Sequence, residues 1–184
     1  MNSVFSVFFV FSVFSVAKLE INMLSKQATE KIDFELTKYP ADQRQAAVMA
    51  ALRIVQTERS WLSKESISEI AAYLVMPEIA VMEVATFYNM YDLTPVGQYK
   101  INICTNISCM LRDADAIVTH LQTKLGVGFN EVTADGKFCL KESECMGACG
   151  GAPLMTVNNH TMHEFLTPKG VDKILEDLNQ KALK

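Results

Sequence analysis

The chain has 184 residues, 49% of them hydrophobic, which is ample for one ordinary domain or two small ones and excludes a disordered acidic or basic tail protein. Its formal charge of −4 leaves no basic surplus to neutralise phosphates, so nucleic acid is excluded as a partner. Five cysteines, an odd number, with no credible export signal indicate a reducing compartment, where thiols bind metal more often than they pair.

The first 16 residues, MNSVFSVFFVFSVFSV, repeat with a period of three: Val4, Val7, Val10, Val13 and Val16 alternate with Phe5, Phe8, Phe11 and Phe14. A secretory signal would need an early basic residue and a small-residue cleavage site, whereas the first charge is Lys18. A membrane span needs about 20 apolar residues, and this run is shorter and broken by four serines. A mitochondrial presequence would carry arginines. Residues 1–23 therefore read as a low-complexity, disordered leader, with Met23 as the expected start of the working protein.

Residues 24–94 read as a helical bundle. AVMAALRIVQ sets Val48, Ala51, Leu52 and Val55 on one stripe, and ISEIAAYL sets Ile67, Ile70, Ala71 and Leu74 on another. Ser63 is placed to cap the second of these helices, with Glu65 in its first turn. Pro40 and Pro77 punctuate the region, and Pro77 opens a further helix over PEIAVMEVATFYNMY. These stripes favour intradomain core, although part of VATFYNMYDL, Phe87 and Tyr88 in particular, is a candidate docking surface.

Residues 95–184 change character. YKINIC is a short strand, after which Asp113 is expected to cap a helix with Ile117, Val118, Leu121 and Leu125 as its apolar face. A second strand falls within FNEVTADGKFCL, with Asp135-Gly136 as a turn. PLMTVNNHTMHEF reads as a hairpin with Asn158-Asn159 at its tip. Thr167 caps a closing helix that begins with Pro168 and carries Val171, Ile174, Leu175 and Leu178. The order β-α-β, then β-β-α, suits a thioredoxin-like fold and leaves other α+β sandwiches open.

Four cysteines form two short groups. Cys104 and Cys109 stand in CTNISC at a strand end, and Cys145 and Cys149 stand in CMGAC before another strand. Facing each other, such loops could supply four thiolates to one centre, as an all-cysteine iron-sulfur cluster requires. Gly147, Gly150 and Gly151 would let the backbone approach the sulfurs. Zinc knuckles favour tighter C-x2-C pairs, so the spacing favours iron-sulfur while leaving a zinc site open. A Rieske centre would need two histidines, and His120, His160 and His163 lie outside the cysteine groups. Cys139 reads as a small core residue. LGVGFNE has Gly126 and Gly128 but Glu131 where a third glycine would stand, so no dinucleotide fingerprint is present. A thiol oxidoreductase would need a C-x-x-C pair, which the chain lacks.

Trp61-Leu62-Ser63, Ala85-Thr86-Phe87-Tyr88, CTNISC and ECMGACGGAP together resemble the thioredoxin-like [2Fe-2S] ferredoxin subunit of the NADH dehydrogenase module of respiratory complex I, over about Lys31 to Leu178. The resemblance implies a helical bundle followed by a thioredoxin-like [2Fe-2S] ferredoxin domain. It implies Cys104, Cys109, Cys145 and Cys149 as ligands of one [2Fe-2S] cluster, with Cys139 a bystander. It further implies single-electron exchange with FMN in an NADH-oxidising partner subunit, with no substrate site or membrane insertion of this chain's own. Such a subunit would be peripheral, on the cytoplasmic face of a bacterial inner membrane or the matrix side in mitochondria. Similar modules serve NAD-linked hydrogenases and formate dehydrogenases, and a zinc-stabilised binding domain is the alternative outside redox chemistry. The Phe/Val/Ser leader has no counterpart in that family.

Overall fold

The computed structural model describes residues 24–181; the repetitive leader and the disorder expected of it lie outside the described residues. The N-terminal part is helical: α1 (Lys26–Leu36), a 3-10 turn (Arg44–Ala47), α2 (Val48–Arg59), α3 (Lys64–Leu74) and α4 (Glu78–Phe87). All eight residues of the two predicted stripes are buried, in a core that also takes in Ile32, Leu62, Val81 and Tyr91. Ser63 caps α3 as expected, its hydroxyl accepting from the Ser66 amide at 3.2 Å. Ser25 does the same for α1 through the Ala28 amide.

The α4 helix stops earlier than its sequence suggests. Tyr88 turns extended, and the chain dives inward to bury Tyr91 and Asp92. The Tyr91 hydroxyl donates to the Met49 carbonyl at 2.8 Å, and the Asp92 amide donates to Gln56 Oε1 at 2.7 Å. Satisfying these buried polar groups outweighs one more helical turn.

The C-terminal part is a mixed five-stranded sheet with helices. In chain order it comprises β1 (Tyr99–Cys104), α5 (Ile107–Met110), α6 (Ala114–Leu125), β2 (Glu131–Val132), β3 (Phe138–Ser143), a 3-10 turn (Cys149–Gly151), β4 (Met155–Val157), β5 (Thr161–His163) and α7 (Pro168–Lys181). The strand order is β2-β3-β1-β4-β5. β1 runs parallel to β3 and antiparallel to β4. The predicted tip lies between β4 and β5, where Asn158 and Asn159 take φ of 53° and 59°. Thr167 caps α7 through the Gly170 amide at 3.1 Å.

Two details depart from expectation. Asp113 occupies the cap position of α6 in a left-handed conformation, φ 62°, with no side-chain cap bond. The cause lies just upstream: α5 is an unforeseen single helical turn, and Asp113 reverses the chain between two helices, a conformation that Asp tolerates. The Asp135-Gly136 turn is present, but it joins β3 to the extra two-residue strand β2, so the partner of the parallel pair is β3.

One face of the sheet is apolar. Ile101, Ile103, Phe138, Leu140 and Met155 pack with Ile117 and Leu121 of α6 and Val171 and Leu175 of α7. The other face, alternating along β1, carries Lys100, Asn102 and Cys104.

Candidate metal centre

Parallel strands that pair side by side place their following loops at one edge. In the β1–β3 ladder Cys104 stands opposite Ser143, so the loop holding Cys104 and Cys109 and the loop holding Cys145 and Cys149 leave the sheet together. Three hydrogen bonds stitch them. The Thr105 hydroxyl donates to Glu142 at 2.7 Å, the Asn106 amide group donates to Glu144 at 2.9 Å, and the Thr105 backbone amide donates to the Ser143 carbonyl at 3.4 Å. The sequence reading missed all four of these side chains. A run of Thr, Asn and Glu carries no signal of pairing until the strand register is known.

The four thiols form two pairs of different character. Cys104 and Cys109 are buried, at 2% and 1% exposure, against Ala114, Ala152 and Leu154. Cys109 was expected in a loop, and α5 instead carries it inward. Burial pushes its thiol up to about 11; the Cys104 thiol beside it and, more weakly, the charge of Cys149 push the same way. A Leu154 backbone N–H directed at the sulfur acts in the opposite sense, favouring thiolate. Cys145 and Cys149 are exposed, with their sulfurs 3.5 Å apart. Gly147 between them takes φ 79°, which explains a glycine there.

Among the described residues no three potential ligands are gathered around a single point. The sulfurs stand as two pairs at one edge, a donor set that fits two metal atoms, each held by one pair. All four donors are soft thiols, which suits an iron-sulfur cluster and also zinc.

The other candidates are elsewhere. Cys139 is buried in β3 opposite Lys100, four residues before the Cys104–Ser143 row, roughly 13 Å along the strand. Burial raises its thiol, and the charges beside it are Lys141, Asp92 and Lys100 rather than another sulfur. His120 pairs with Asp172 at 2.9 Å between α6 and α7. His160 lies at the β4–β5 turn and His163 on β5. Gly128 donates its amide to Glu131 at 2.6 Å, which makes that glycine-bearing turn a closed local structure. No helix among the described residues is long and apolar enough to cross a membrane.

Comparison with known proteins bears on these features together. The family model described as thioredoxin-like [2Fe-2S] ferredoxin matches residues 32–179. NADH-quinone oxidoreductase subunit 2 of Thermus thermophilus is 38% identical over 152 residues, 81% of this chain and 84% of that protein. An NADH-quinone oxidoreductase subunit of Rickettsia bellii is 40% identical over 144 residues, 78% of this chain and 86% of that one. Among solved structures, a chain of an NAD+-reducing [NiFe]-hydrogenase in the air-oxidized state superposes with a TM-score of 0.64 at 22% identity, over 78% of this chain; the likeness spans only 24% of that longer chain.

Proposed function

The chain belongs to the thioredoxin-like [2Fe-2S] ferredoxin family, among subunits of NADH-quinone oxidoreductase, and from that premise we propose that it serves electron transfer within such a complex. It carries one [2Fe-2S] cluster, held by Cys104 and Cys109 on one side and Cys145 and Cys149 on the other. The observation that carries this reading is the parallel β1–β3 pairing, which delivers both cysteine loops to one edge. When bound, the cluster takes up and returns one electron at a time.

The chain's own residues hold and shield. Ala114, Ala152 and Leu154 close off water from the Cys104–Cys109 side, while the Thr105–Glu142 and Asn106–Glu144 bonds fix the separation of the loops. The exposed Cys145–Cys149 side is where a redox partner gains approach. That partner is an FMN-bearing flavoprotein that oxidises NADH, on the cytoplasmic face of a bacterial inner membrane. Phe87, 81% exposed and edge-on to half-exposed Tyr88 at 5.0 Å between ring centroids, supports docking through the end of α4. The helical part and the sheet part are two domains, joined near residues 94 and 95, because each has its own core.

Anaerobic purification of the full chain with iron, sulfide and zinc quantification tests the cofactor. Two irons and two sulfides per chain, with an EPR signal on reduction, are expected. Stoichiometric zinc without sulfide would overturn the assignment.

A further inference from the structure

On the polar face of the sheet, beneath the end of the helical region, three charged side chains meet. Asp92 is buried, at 2% exposure, and its carboxylate is taken by two ammonium groups: Lys100 of β1 on one oxygen, and Lys141 of β3 on the other at 2.5 Å. Its backbone is clamped from the opposite side, the amide donating to Gln56 and the carbonyl accepting from the Leu62 amide at 2.8 Å. Lys100 is also buried, and Lys141 is largely so. Burial pulls the Lys100 ammonium below its ordinary value while its bond to Asp92 acts in the opposite sense; with both lysines protonated, two cations meet one anion and the triad carries a net positive charge.

Its position relates it to the cysteine edge. In parallel pairing, side chains of the same row share a face, so Asn102 and Lys141 form one row and Cys104 and Ser143 form the next on that face. The rows are two residues, or about 7 Å, apart. An open cleft of about 200 Å³ on this face is lined in common by Lys141, Asn102, Asn89, Glu142, Ser143 and Met146. Met146 belongs to the loop between Cys145 and Cys149. Of the nearby carboxylates, Glu142, which also lines the cleft, and Glu144 are exposed and bonded across the loops, where solvent screens them.

We infer that Lys141, set by Asp92 and backed by Lys100, is a positioning residue that compensates the charge of the reduced centre and raises its reduction potential. The inference rests on the four-cysteine cluster proposed above. With four thiolates the centre carries about −2 when oxidised and about −3 when reduced, so an enclosed positive charge favours the reduced form. No proton or bond changes place; the lysine acts through its field.

The test is a redox titration of the full chain carrying its cluster, followed by visible absorbance and reduced-state EPR. Lys141→Met is expected to shift the potential negative, Asp92→Asn to shift it positive, and Lys141→Arg to leave it near the wild-type value. The opposite signs separate charge compensation from loosening of the fold, which would move the two neutralising variants alike. Should Asp92→Asn not accumulate folded, the Lys141→Met and Lys141→Arg pair decides alone. The inference is overturned if Lys141→Met leaves the potential unchanged, if the two neutralising variants shift in the same direction, or if Lys141→Arg shifts as far as Lys141→Met. A wild-type chain that binds no cluster would remove the cofactor assignment and this inference together. A wild-type chain that binds one while the variants stay level removes only the inference.

Discussion

The loops after β1 and β3 bring two cysteines each to the same edge, yet they are built differently. The first presents its sulfurs from a strand end and a helical turn, both pressed into an apolar cluster with Leu154. The second hangs its sulfurs in a solvent-facing loop around a left-handed glycine. The first pair is therefore part of the fold and the second is carried by it, which assigns rigidity to one side of the centre and access to the other.

The largest effects should come from exchanging sulfur for oxygen, and they should differ in kind between the loops. Cys104→Ser and Cys109→Ser should lose the iron and also place a hydroxyl in an apolar setting, costing the cluster-free chain about 1–3 kcal/mol in denaturant melts. Cys145→Ser and Cys149→Ser should lose the iron equally while the melt of the cluster-free chain stays within about 0.5 kcal/mol of wild type. Equal melts for all four would erase the distinction between the loops.

Leu154→Ala probes the buried side without touching a sulfur. It empties the cluster around Cys104 and Cys109 and should cost about 2–5 kcal/mol, read from the midpoint of chemical unfolding. Weaker still, Asn106→Ala removes one stitch between the loops at an exposed site, costing no more than about 1 kcal/mol. Its clearer sign should be faster iron loss to a chelator.

A smaller effect concerns His163, on the hairpin that returns from the second loop. Burial, helped by Lys181, holds its proton affinity below the usual value near 6.5. The unfolded chain therefore takes up a proton that the folded chain resists, so stability is intact above about pH 6.5 and falls as the pH drops through that value. His163→Gln should flatten the dependence of the thermal midpoint on pH between about 7.5 and 5.5. Cys139→Ser, remote from both loops, should leave the visible spectrum unchanged.

Much of this architecture is legible in the sequence because it is periodic or local. The stripes of α2, α3 and α7 follow helical spacing, and Ser63, Thr167 and Asn158-Asn159 act on amides or turns within a few residues of themselves. What escaped depends on tertiary neighbours. The early stop of α4 follows from Tyr91 and Asp92 reaching across to α2, and α5 arises in a stretch too short to show any period. Lys100 within YKINIC has the signature of a solvent-facing strand position; only the arrival of Asp92 makes it an interior one. Spacing placed the four cysteines as candidates and favoured iron-sulfur, but left zinc open, since both accept thiolates.

The parallel pairing of β1 with β3 also constrains biogenesis. The two halves of the receptacle are encoded on either side of α6, and Leu154, which closes over Cys104 and Cys109, is encoded after both. A nascent chain emerging from the ribosome thus exposes its first two sulfurs long before their counterparts exist. Delivery of the inorganic unit must await nearly complete synthesis, and until then those thiols depend on a reducing environment to stay unmodified.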